Sequence, residues 1–189
     1  LSTVKAQIQM WRWQATHHSH FHLSLLLGLD FMQTEESNQS KYIRPCTMEL
    51  AWQSSDLLRW QDKRELEGQG HPPFYALPMS VAVTENPIAF YTPKNELAGF
   101  AGVVDEGDGI GRVWMLTTEA VETIPLLFFK EAKKWLDRQD YQMLHNTMDP
   151  RNKMHRKLLK MLGFKRLCYV PVGPERRTYV EFAKLCVIP

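Results

Sequence analysis

The stretch between residues 141 and 164 has the clearest pattern of apolar and polar positions in the chain. Residues 141–144 form a short apolar run that predicts a buried strand. A turn signal follows, in which Pro150 stands where a helix can begin. The next apolar positions recur at helical spacing and predict one buried helix face, made by Met154, Leu158, Met161 and Leu162. Gly163 predicts the end of this helix, with Phe164 folded back onto the last turn.

The rest of the chain shows an alternation of strand-like and helix-like patterns. Strands are expected at residues 42–46, 79–84 continuing into 87–91, 97–104, 112–117, 165–172 and 178–185. Helices are expected at residues 48–51, 56–66 and 125–139, the first capped by Thr47. The helix at residues 125–139 is expected to bury Leu126 and to expose Glu131. This order predicts an α/β fold, in which a mixed sheet carries helices on both faces.

The residues around the last helix resemble a known motif. Five positions resemble the closing motif of the GNAT acyltransferase superfamily, Asn-x-x-Ala-x-x-Leu-Tyr-x-x-x-Gly-Phe, namely Asn152, His155, Leu158, Gly163 and Phe164. The resemblance extends over residues 42–185, because the order of elements agrees as well. It implies a mixed, mostly antiparallel sheet with a splayed gap between strands 4 and 5, where an acyl-CoA normally lies. The GNAT-like domain is expected at residues 41–189, after a leader at residues 1–40.

A finer resemblance concerns three short segments of this domain. The start Ile43-Arg-Pro, the strand Trp114-Met-Leu-Thr-Thr and the basic last helix look most like the internal virion protein A family of short-tailed podophages. That likeness implies a role in the virion or its assembly, with other phage virion or assembly proteins as partners. It also implies a location in the host cytoplasm, and possible presence in the virion.

The segment before the long helix departs from the GNAT pattern. The superfamily binds the CoA pyrophosphate with a loop of the form Gln/Arg-x-x-Gly-x-Gly/Ala, whose free amides point at the phosphates. The matching segment here, residues 119–125, has no glycine, and Glu119 and Glu122 place two carboxylates there. Pro125 also lacks an amide hydrogen. Acidic residues are an ordinary choice at a helix start. The loop therefore predicts weak CoA binding or none.

The proton-transfer group of the superfamily is missing at its usual position. GNAT enzymes commonly use a tyrosine seven residues after the motif asparagine, and Leu159 stands there. His155 lies one helical turn earlier and could replace it, although a lone histidine on a basic helix is more often solvated or packed. His145, at the end of the fifth strand, is a second weak catalytic candidate. Glu85 or Asp105 could act as a base, but no pattern selects either.

Two functions from different classes follow from these observations. The first is a phage internal virion or assembly protein on a degenerate GNAT scaffold that needs no cofactor. The alternative is an active N-acetyltransferase that uses acetyl-CoA through a non-standard pyrophosphate loop. In that case the resemblance implies that the cofactor lies against Leu116, Thr117, Thr118, Asn146 and Asn152. The basic face at residues 151–165 lacks interleaved aromatic residues, so a nucleic-acid partner is not expected.

Composition excludes several other classes of protein. The 189 residues include 23 basic and 21 acidic side chains, and a net charge of +2 does not by itself indicate a nucleic-acid partner. The three cysteines form no Cys-x-x-Cys pair and predict no disulfide framework. A reducing, cytosolic environment is the simplest interpretation.

Residues 1–31 differ in composition from the rest of the chain. A histidine cluster precedes the apolar run at residues 23–29, but no carboxylate or cysteine follows at ligand spacing. No metal site is therefore predicted for the cluster, which contains His17, His18, His20 and His22. The apolar run is far shorter than the roughly 20 residues of a transmembrane helix, and no signal-peptide cleavage site follows it. We interpret residues 1–40 as a disordered or non-native leader, with Met32 as a credible first residue.

This interpretation predicts that the leader does not contribute to stability. A chain that begins at Met32 is expected to unfold at the same temperature as the full chain, because the composition changes near Met32 and the folded domain is expected to start only at residue 41. Thermal unfolding followed by circular dichroism measures this. A melting temperature several degrees lower in the shortened chain would contradict the interpretation.

Overall fold

A computed structural model describes residues 40–186 of the chain. The predicted leader therefore lies almost wholly outside the described residues, as do Met32 and the histidine cluster His17, His18, His20 and His22. The predictions about these residues remain predictions.

The described residues form one mixed sheet of seven strands. In chain order the strands are β1 (Ile43–Pro45), β2 (Ile88–Tyr91), β3 (Leu97–Gly107), β4 (Ile110–Thr117), β5 (Met143–Met148), β6 (Lys165–Val172) and β7 (Arg177–Leu185). Their order across the sheet is β1-β2-β3-β4-β5-β7-β6. Strands β4 and β5 are parallel, and the other neighbouring pairs of this sheet are antiparallel. This confirms the predicted mixed, mostly antiparallel sheet.

Five α-helices and two 3₁₀ turns connect the strands. The helices are α1 (Met48–Ser54), α2 (Trp60–Gly68), α3 (Pro73–Ala82), α4 (Pro125–Leu136) and α5 (Lys153–Met161), and the 3₁₀ turns are Ser55–Leu57 and Glu119–Thr123. Thr47 caps α1 as predicted, because its hydroxyl accepts a hydrogen bond of 3.1 Å from the amide of Leu50. Pro125 opens α4, where its missing amide hydrogen costs no helical bond.

The helices cover both faces of the sheet, in the arrangement that the sequence predicts. Val113 of β4 belongs to a core cluster with Leu136 of α4 and Leu159 of α5. Leu116 of the same strand packs instead with Leu77 of α3 and with residues of α1 and α2. Positions 113 and 116 differ by an odd number, so their side chains point to opposite faces of β4. Helices α4 and α5 therefore cover one face, and α1, α2 and α3 cover the other.

Two segments between β1 and β2 differ from the prediction. The strand expected at residues 79–84 is wrong, because residues 79–82 belong to α3, which begins at Pro73. A short apolar run is compatible with both periods, and here Leu77 and Val81 are buried at helical spacing. The helix expected at residues 56–66 is interrupted, since Leu58 forms a β-bridge with Thr118 before α2 begins.

The buried faces of α4 and α5 also differ from those expected. In α4, Leu126 is 74% exposed, whereas Glu131 is buried and lies 3.2 Å from the ammonium group of Lys134. In α5, Leu159 is buried and Leu158 only partly so, because the helix is rotated relative to the predicted face. Met154 is 67% exposed. Leu162, which follows the helix, is buried as predicted. The sequence pattern therefore assigned exposed side chains, such as Leu126 and Met154, to buried helix faces.

The corrected orientation of α5 predicts that Leu159, rather than Met154, stabilises the domain. Leu159→Ala is expected to lower the free energy of unfolding by about 2–5 kcal/mol, because it leaves a cavity under the helix. Met154→Ala removes an exposed side chain from the same helix and is expected to cost less than about 0.5 kcal/mol. Urea unfolding measures both. Equal costs for the two variants would contradict the observed orientation.

Candidate functional site

The parallel strands β4 and β5 are paired only at their beginnings. The register joins Ile110 to Met143 and ends with Arg112 opposite His145. Beyond that point the side chain of Asn146 reaches across from β5, and its Nδ2 donates a 2.8 Å hydrogen bond to the carbonyl of Val113. The remainder of β4, up to Thr117, has no ladder partner on its β5 side. The predicted splayed gap between strands 4 and 5 is therefore present.

The first turn of α2 occupies the gap-facing edge of β4 at its end. The amide of Thr118 bonds the carbonyl of Ala98 on the β3 side, so the amide and carbonyl of Thr117 face the gap. The carbonyl of Thr117 accepts a 2.9 Å hydrogen bond from the amide of Arg59. The carboxylate of Asp62 accepts two more from Thr117, at 3.0 Å from the amide and 2.6 Å from the hydroxyl. Helix α2 is thus tied to the strand at the mouth of the gap.

One turn further along α2, Glu65 meets His155 of α5. The His155 Nδ1 lies 3.7 Å from the Glu65 Oε2, and both side chains are largely buried. Asp62 and Glu65 are three residues apart and so share one face of α2. Because α2 and α5 cover opposite faces of the sheet, their side chains meet at the open end of the split between β4 and β5. Tyr179 of β7 holds this part of α2, since its hydroxyl donates a 2.7 Å bond to the Glu65 carbonyl.

The start of α5 adds a second buried amide to this region. Asn152 is buried and caps the helix, because its side-chain oxygen accepts a 3.1 Å hydrogen bond from the amide of His155. Its Nδ2 has no hydrogen-bond partner in the described structure, and neither has Glu65 Oε2. Buried polar atoms are almost always paired, so unpaired atoms point to a bound group or water. The donor Asn152 Nδ2 and the acceptor Glu65 Oε2 are therefore without hydrogen-bond partners in this region.

Asp149 closes this region from the end of β5. It is buried, its carboxylate is held by Arg151 at 2.7 Å, and the guanidinium of Arg64 lies 3.6 Å away. Burial raises the pKa of the carboxyl, but the bonds and charge of Arg151, with the charge of Arg64, outweigh it and hold the pKa below 3.8. Burial is also the main reason why the pKa of the neighbouring Tyr179 rises to about 12. Asp149 is therefore a structural anion.

His145 lies at the paired end of the gap, away from this cluster. Its Nε2 is 2.6 Å from Glu106 Oε2, and Glu106 also forms an ion pair with Arg112. Burial raises the pKa of the Glu106 carboxyl, but its bonds to His145 and Arg112 lower the pKa by a larger amount. The net pKa of Glu106 therefore lies below 4.5. Of the two predicted catalytic histidines, only His155 is placed at the open part of the gap.

The residues predicted to line a cofactor are used within the fold. Leu116 is buried in the core, and Thr117 is bound by Arg59 and Asp62 as described. The Thr118 hydroxyl donates a 2.5 Å bond to the Leu97 carbonyl and accepts one from the Ala120 amide. Leu116, Thr117 and Thr118 lie at or directly after the end of β4, Asn146 bonds across to Val113, and Asn152 caps α5. Their binding of a cofactor stays a prediction.

The loop before α4 folds as the 3₁₀ turn Glu119–Thr123. The amides of Val121 and Ile124 are bonded to carbonyls within and before the turn, so they do not point outwards as a phosphate cradle requires. No side chain caps the start of α4. Arg59 approaches this loop from α2, with its Nη1 3.8 Å from Glu122 Oε1. No local pattern of residues indicates that Arg59 reaches this loop, because Arg59 and Glu122 are 63 positions apart.

Sequence reasoning also missed Asp62 and Glu65, which are buried residues of α2 that belong to no recognised motif. The predicted bases Glu85 and Asp105 are both exposed. Within residues 40–186, no group of three histidine, cysteine, aspartate or glutamate side chains could hold a metal ion. In the same range, no helix has the length and apolar character needed to span a membrane.

Solved structures with this arrangement of strands and helices are acetyltransferases. A chimera of the Vibrio cholerae spermidine N-acetyltransferase matches with a TM-score of 0.57 and 10% identity, over 76% of this chain and 93% of the other. The aminoglycoside acetyltransferase AAC(6')-Ib with ribostamycin and coenzyme A matches with a TM-score of 0.57 and 16% identity, over 76% of this chain and 92% of the other. A Bacillus anthracis acetyltransferase of the GNAT family matches with a TM-score of 0.58 and 12% identity, over 78% of this chain and 96% of the other. The chain has the GNAT fold.

The match is one of fold, since all these identities are below 20%. No protein-family model matches the sequence, and no curated protein matches it. None of the three GNAT structures described here is a virion protein, so they give no support to the resemblance to internal virion proteins. They agree with the GNAT fold that the closing motif of α5 implies.

The ion pairs of Asp149 predict how stability depends on pH. The folded pKa lies below the unfolded value near 3.8, so Asp149 stabilises the fold above that pH. This contribution is lost as the pH falls through the folded pKa. Asp149→Asn is expected to lower the unfolding free energy by about 1–3 kcal/mol at pH 7 and much less at pH 2.

Urea unfolding at the two pH values measures this difference. Asp140→Asn removes an exposed carboxylate nearby in sequence and is the matched control, for which little change is expected at either pH. A cost for Asp149→Asn that is as large at pH 2 as at pH 7 would contradict the ionic role of this residue.

Proposed function

We propose that the protein is an acyl-CoA-dependent N-acyltransferase in which His155 transfers the proton and Glu65 orients it. The observation that carries the proposal is the contact of these two side chains at the open end of the gap, with 3.7 Å between Nδ1 and Oε2. This distance is longer than a hydrogen bond, and approach of the carboxylate to about 3 Å would fix the tautomer and orientation of the imidazole and leave the other ring nitrogen for proton transfer.

The residues around the gap fit an acyl-CoA in part. Asn152 offers an unpaired buried donor, and Glu65 an unpaired buried acceptor, to a chain that carries amide groups. The end of β4 fits less well, because Asp62 and Arg59 already bond the Thr117 backbone. Entry of a pantetheine arm there requires the start of α2 to move. A bound acyl-CoA would supply the activated acyl group, and Asn152 and Glu65 would hold it through their unpaired atoms.

Within this site, each polar group has a separate role. His155 accepts the proton of the attacking amine or returns one to the departing thiolate, which are the two tasks of a general acid–base group in acyl transfer. Glu65 holds the imidazole, and the Tyr179 hydroxyl fixes the backbone of Glu65. Leu159, at the position of the superfamily's usual tyrosine, is buried in the core and takes no part.

The structural neighbours support an amine as the acyl acceptor. They include a spermidine N-acetyltransferase and an aminoglycoside acetyltransferase, the second solved in complex with coenzyme A. Both acceptor classes carry primary amines. By this likeness of fold, we infer that the acceptor of this chain is also an amine.

A second candidate is a scaffold without catalysis, as the likeness to internal virion proteins implies. It is favoured by one observation, which is that α2 already occupies the edge of β4 that an acyl-CoA needs. The absence of glycine from the loop before α4 also favours a scaffold over an acyl-CoA-binding enzyme. Such a protein would act through other virion or assembly proteins, in the host cytoplasm or the virion.

Acetyl transfer distinguishes the two candidates. With acetyl-CoA and a panel of amines that includes spermidine and an aminoglycoside, the protein is expected to release free CoA thiol. His155→Gln is expected to lower the rate by about 10²–10⁴-fold, the usual contribution of a general acid–base group. Met154→Ala, an exposed neighbour on the same helix, is the control and should keep the full rate.

A thermal-shift titration with acetyl-CoA supplies an independent measure of binding. A ligand at 100 times its dissociation constant adds about 2.7 kcal/mol to stability. The absence of both thiol release and a thermal shift would contradict the enzyme and favour the scaffold. A shift with wild-type rates in His155→Gln would keep the enzyme but exclude the assigned role of His155.

A further inference from the structure

The outer side of α5 carries a concentration of positive charge that the rest of the chain lacks. All seven charged side chains of residues 150–166 are basic, whereas the remainder of the chain holds 16 basic and 21 acidic side chains. The net charge of +2 is therefore very unevenly distributed. We define the basic surface by five of these cations, all of them exposed: Lys153, Arg156, Lys157, Lys160 and Lys165.

No member of the basic surface has an ion-pair partner among residues 40–186. Arg151, just before it, is held by Asp149, and Arg166, just after it, contacts the hydroxyl of Tyr169 at 3.1 Å. The five cations between Arg151 and Arg166 form neither ion pairs nor side-chain hydrogen bonds within the described part of the chain. Their charge is therefore not neutralised by the domain itself.

The cations of α5 are aligned along one side of the helix. Lys153, Lys157 and Lys160 are four and then three positions apart, so they lie one above the other, with Arg156 beside them. The line is about 10 Å long at the rise of an α-helix. Lys165 continues the surface at the start of β6, which is the last strand of the sheet. The basic surface is thus a narrow strip rather than a scattered set of charges.

An exposed helix face more commonly mixes the two signs of charge, as that of α4 does. Lys133 pairs with Asp137 one turn later, and Lys134 pairs with Glu131. Helix α5 instead places like charges three and four positions apart, which destabilises a helix. Its first turn contains no acidic residue, and Lys153 there opposes the helix dipole. The basic surface is therefore maintained against the local stability of α5, which favours a role in binding an anion.

A nucleic-acid duplex matches this line of charge. Double-stranded DNA carries one negative charge per roughly 1.7 Å of its axis, so about 10 Å of duplex presents about six phosphates. Interleaved aromatic residues, whose absence argued against a nucleic-acid partner, stack on the bases of single strands. A duplex is bound mainly through its phosphates and needs no such residues. The absence of aromatic residues from α5 therefore argues against single strands only.

Two other polyanions fit the basic surface less well. A helix that lies in a membrane interface inserts its apolar side among the lipids, whereas the apolar side of α5 is buried in the core through Leu159. RNA duplexes are recognised largely by contacts to their 2′-hydroxyl groups. The exposed side of α5 has no hydroxyl, amide or carboxyl side chain for such contacts, since it carries only cations, Met154 and Met161.

We propose that the basic surface docks on the phosphate backbone of double-stranded DNA without reading its sequence. Contacts of lysine and arginine with phosphate position a protein on the duplex but carry no sequence information. The inference goes beyond the proposed acyltransferase function and does not depend on it. His155 of the same helix is directed away from the basic surface, towards Glu65.

Fluorescence anisotropy of a labelled DNA duplex, titrated with the full chain at several salt concentrations, tests the proposal. With four or five phosphate contacts, the logarithm of the binding constant is expected to fall with the logarithm of salt with a slope of about −4. The double variant Lys157→Gln, Lys160→Gln is expected to bind about tenfold more weakly or worse, and to reduce this slope by about two. Two duplexes of unrelated sequence are expected to bind equally.

The double variant Lys94→Gln, Lys130→Gln is the matched control. It removes two exposed lysines that likewise have no ion pair among the described residues, but from other parts of the domain. All four lysines are exposed, so both variants are expected to unfold at the wild-type temperature. An equal loss of DNA affinity in the two variants would overturn the proposal, because it would show a response to net charge alone.

The same titration with other polyanions decides the class of partner. Binding to an RNA duplex, to vesicles that contain phosphatidylserine or to polyglutamate that is tighter than binding to DNA would overturn the proposal. No DNA binding by the wild type at physiological salt would overturn it too. His155→Gln is expected to keep the full DNA affinity. Loss of acetyl transfer with DNA binding retained therefore concerns the proposed function alone, and the reverse result concerns the basic surface alone.

Discussion

The carboxylate of Asp62 is the contact on which the arrangement of the site depends. It accepts hydrogen bonds from the amide and hydroxyl of Thr117 and from the guanidinium of Arg59. One buried anion thus satisfies the exposed end of β4 and fixes the first turn of α2. Because Asp62 is buried, loss of this carboxylate would leave several donors without a partner. The rest of α2 follows from that anchor, since a helix is rigid over nine residues.

The anchor explains why two separate groups reach the same gap. With the start of α2 fixed at Thr117, the next turn carries Glu65 to His155 on the opposite face of the sheet. The residue before the helix carries its guanidinium to Glu122 on the loop before α4. Both contacts depend on one helix, so motion of α2 would change the contact of Glu65 with His155 and that of Arg59 with Glu122 together.

The sequence predicted the sheet better than the site, and the reason is physical. Hydrophobic periodicity is local, so it located most strands, and the motif ending at Gly163 and Phe164 correctly implied the splayed gap between β4 and β5. The alternation at residues 79–84 was too short to distinguish a strand from α3. Contacts such as that between Glu65 and His155, 90 positions apart, leave no local pattern. Their burial follows only from the packing of the whole domain.

The polar groups that remain unpaired bear on the choice between an enzyme and a scaffold. Glu65 Oε2 and Asn152 Nδ2 are buried without partners, and each such atom costs about 1–3 kcal/mol. Well-packed apolar side chains of similar volume would avoid this cost, often with a gain in stability. A scaffold that acts only through its outer surface has no use for these atoms. The proposed acyltransferase site would use both atoms to bind an amide-bearing chain beside His155, and functional sites are where such costs are retained.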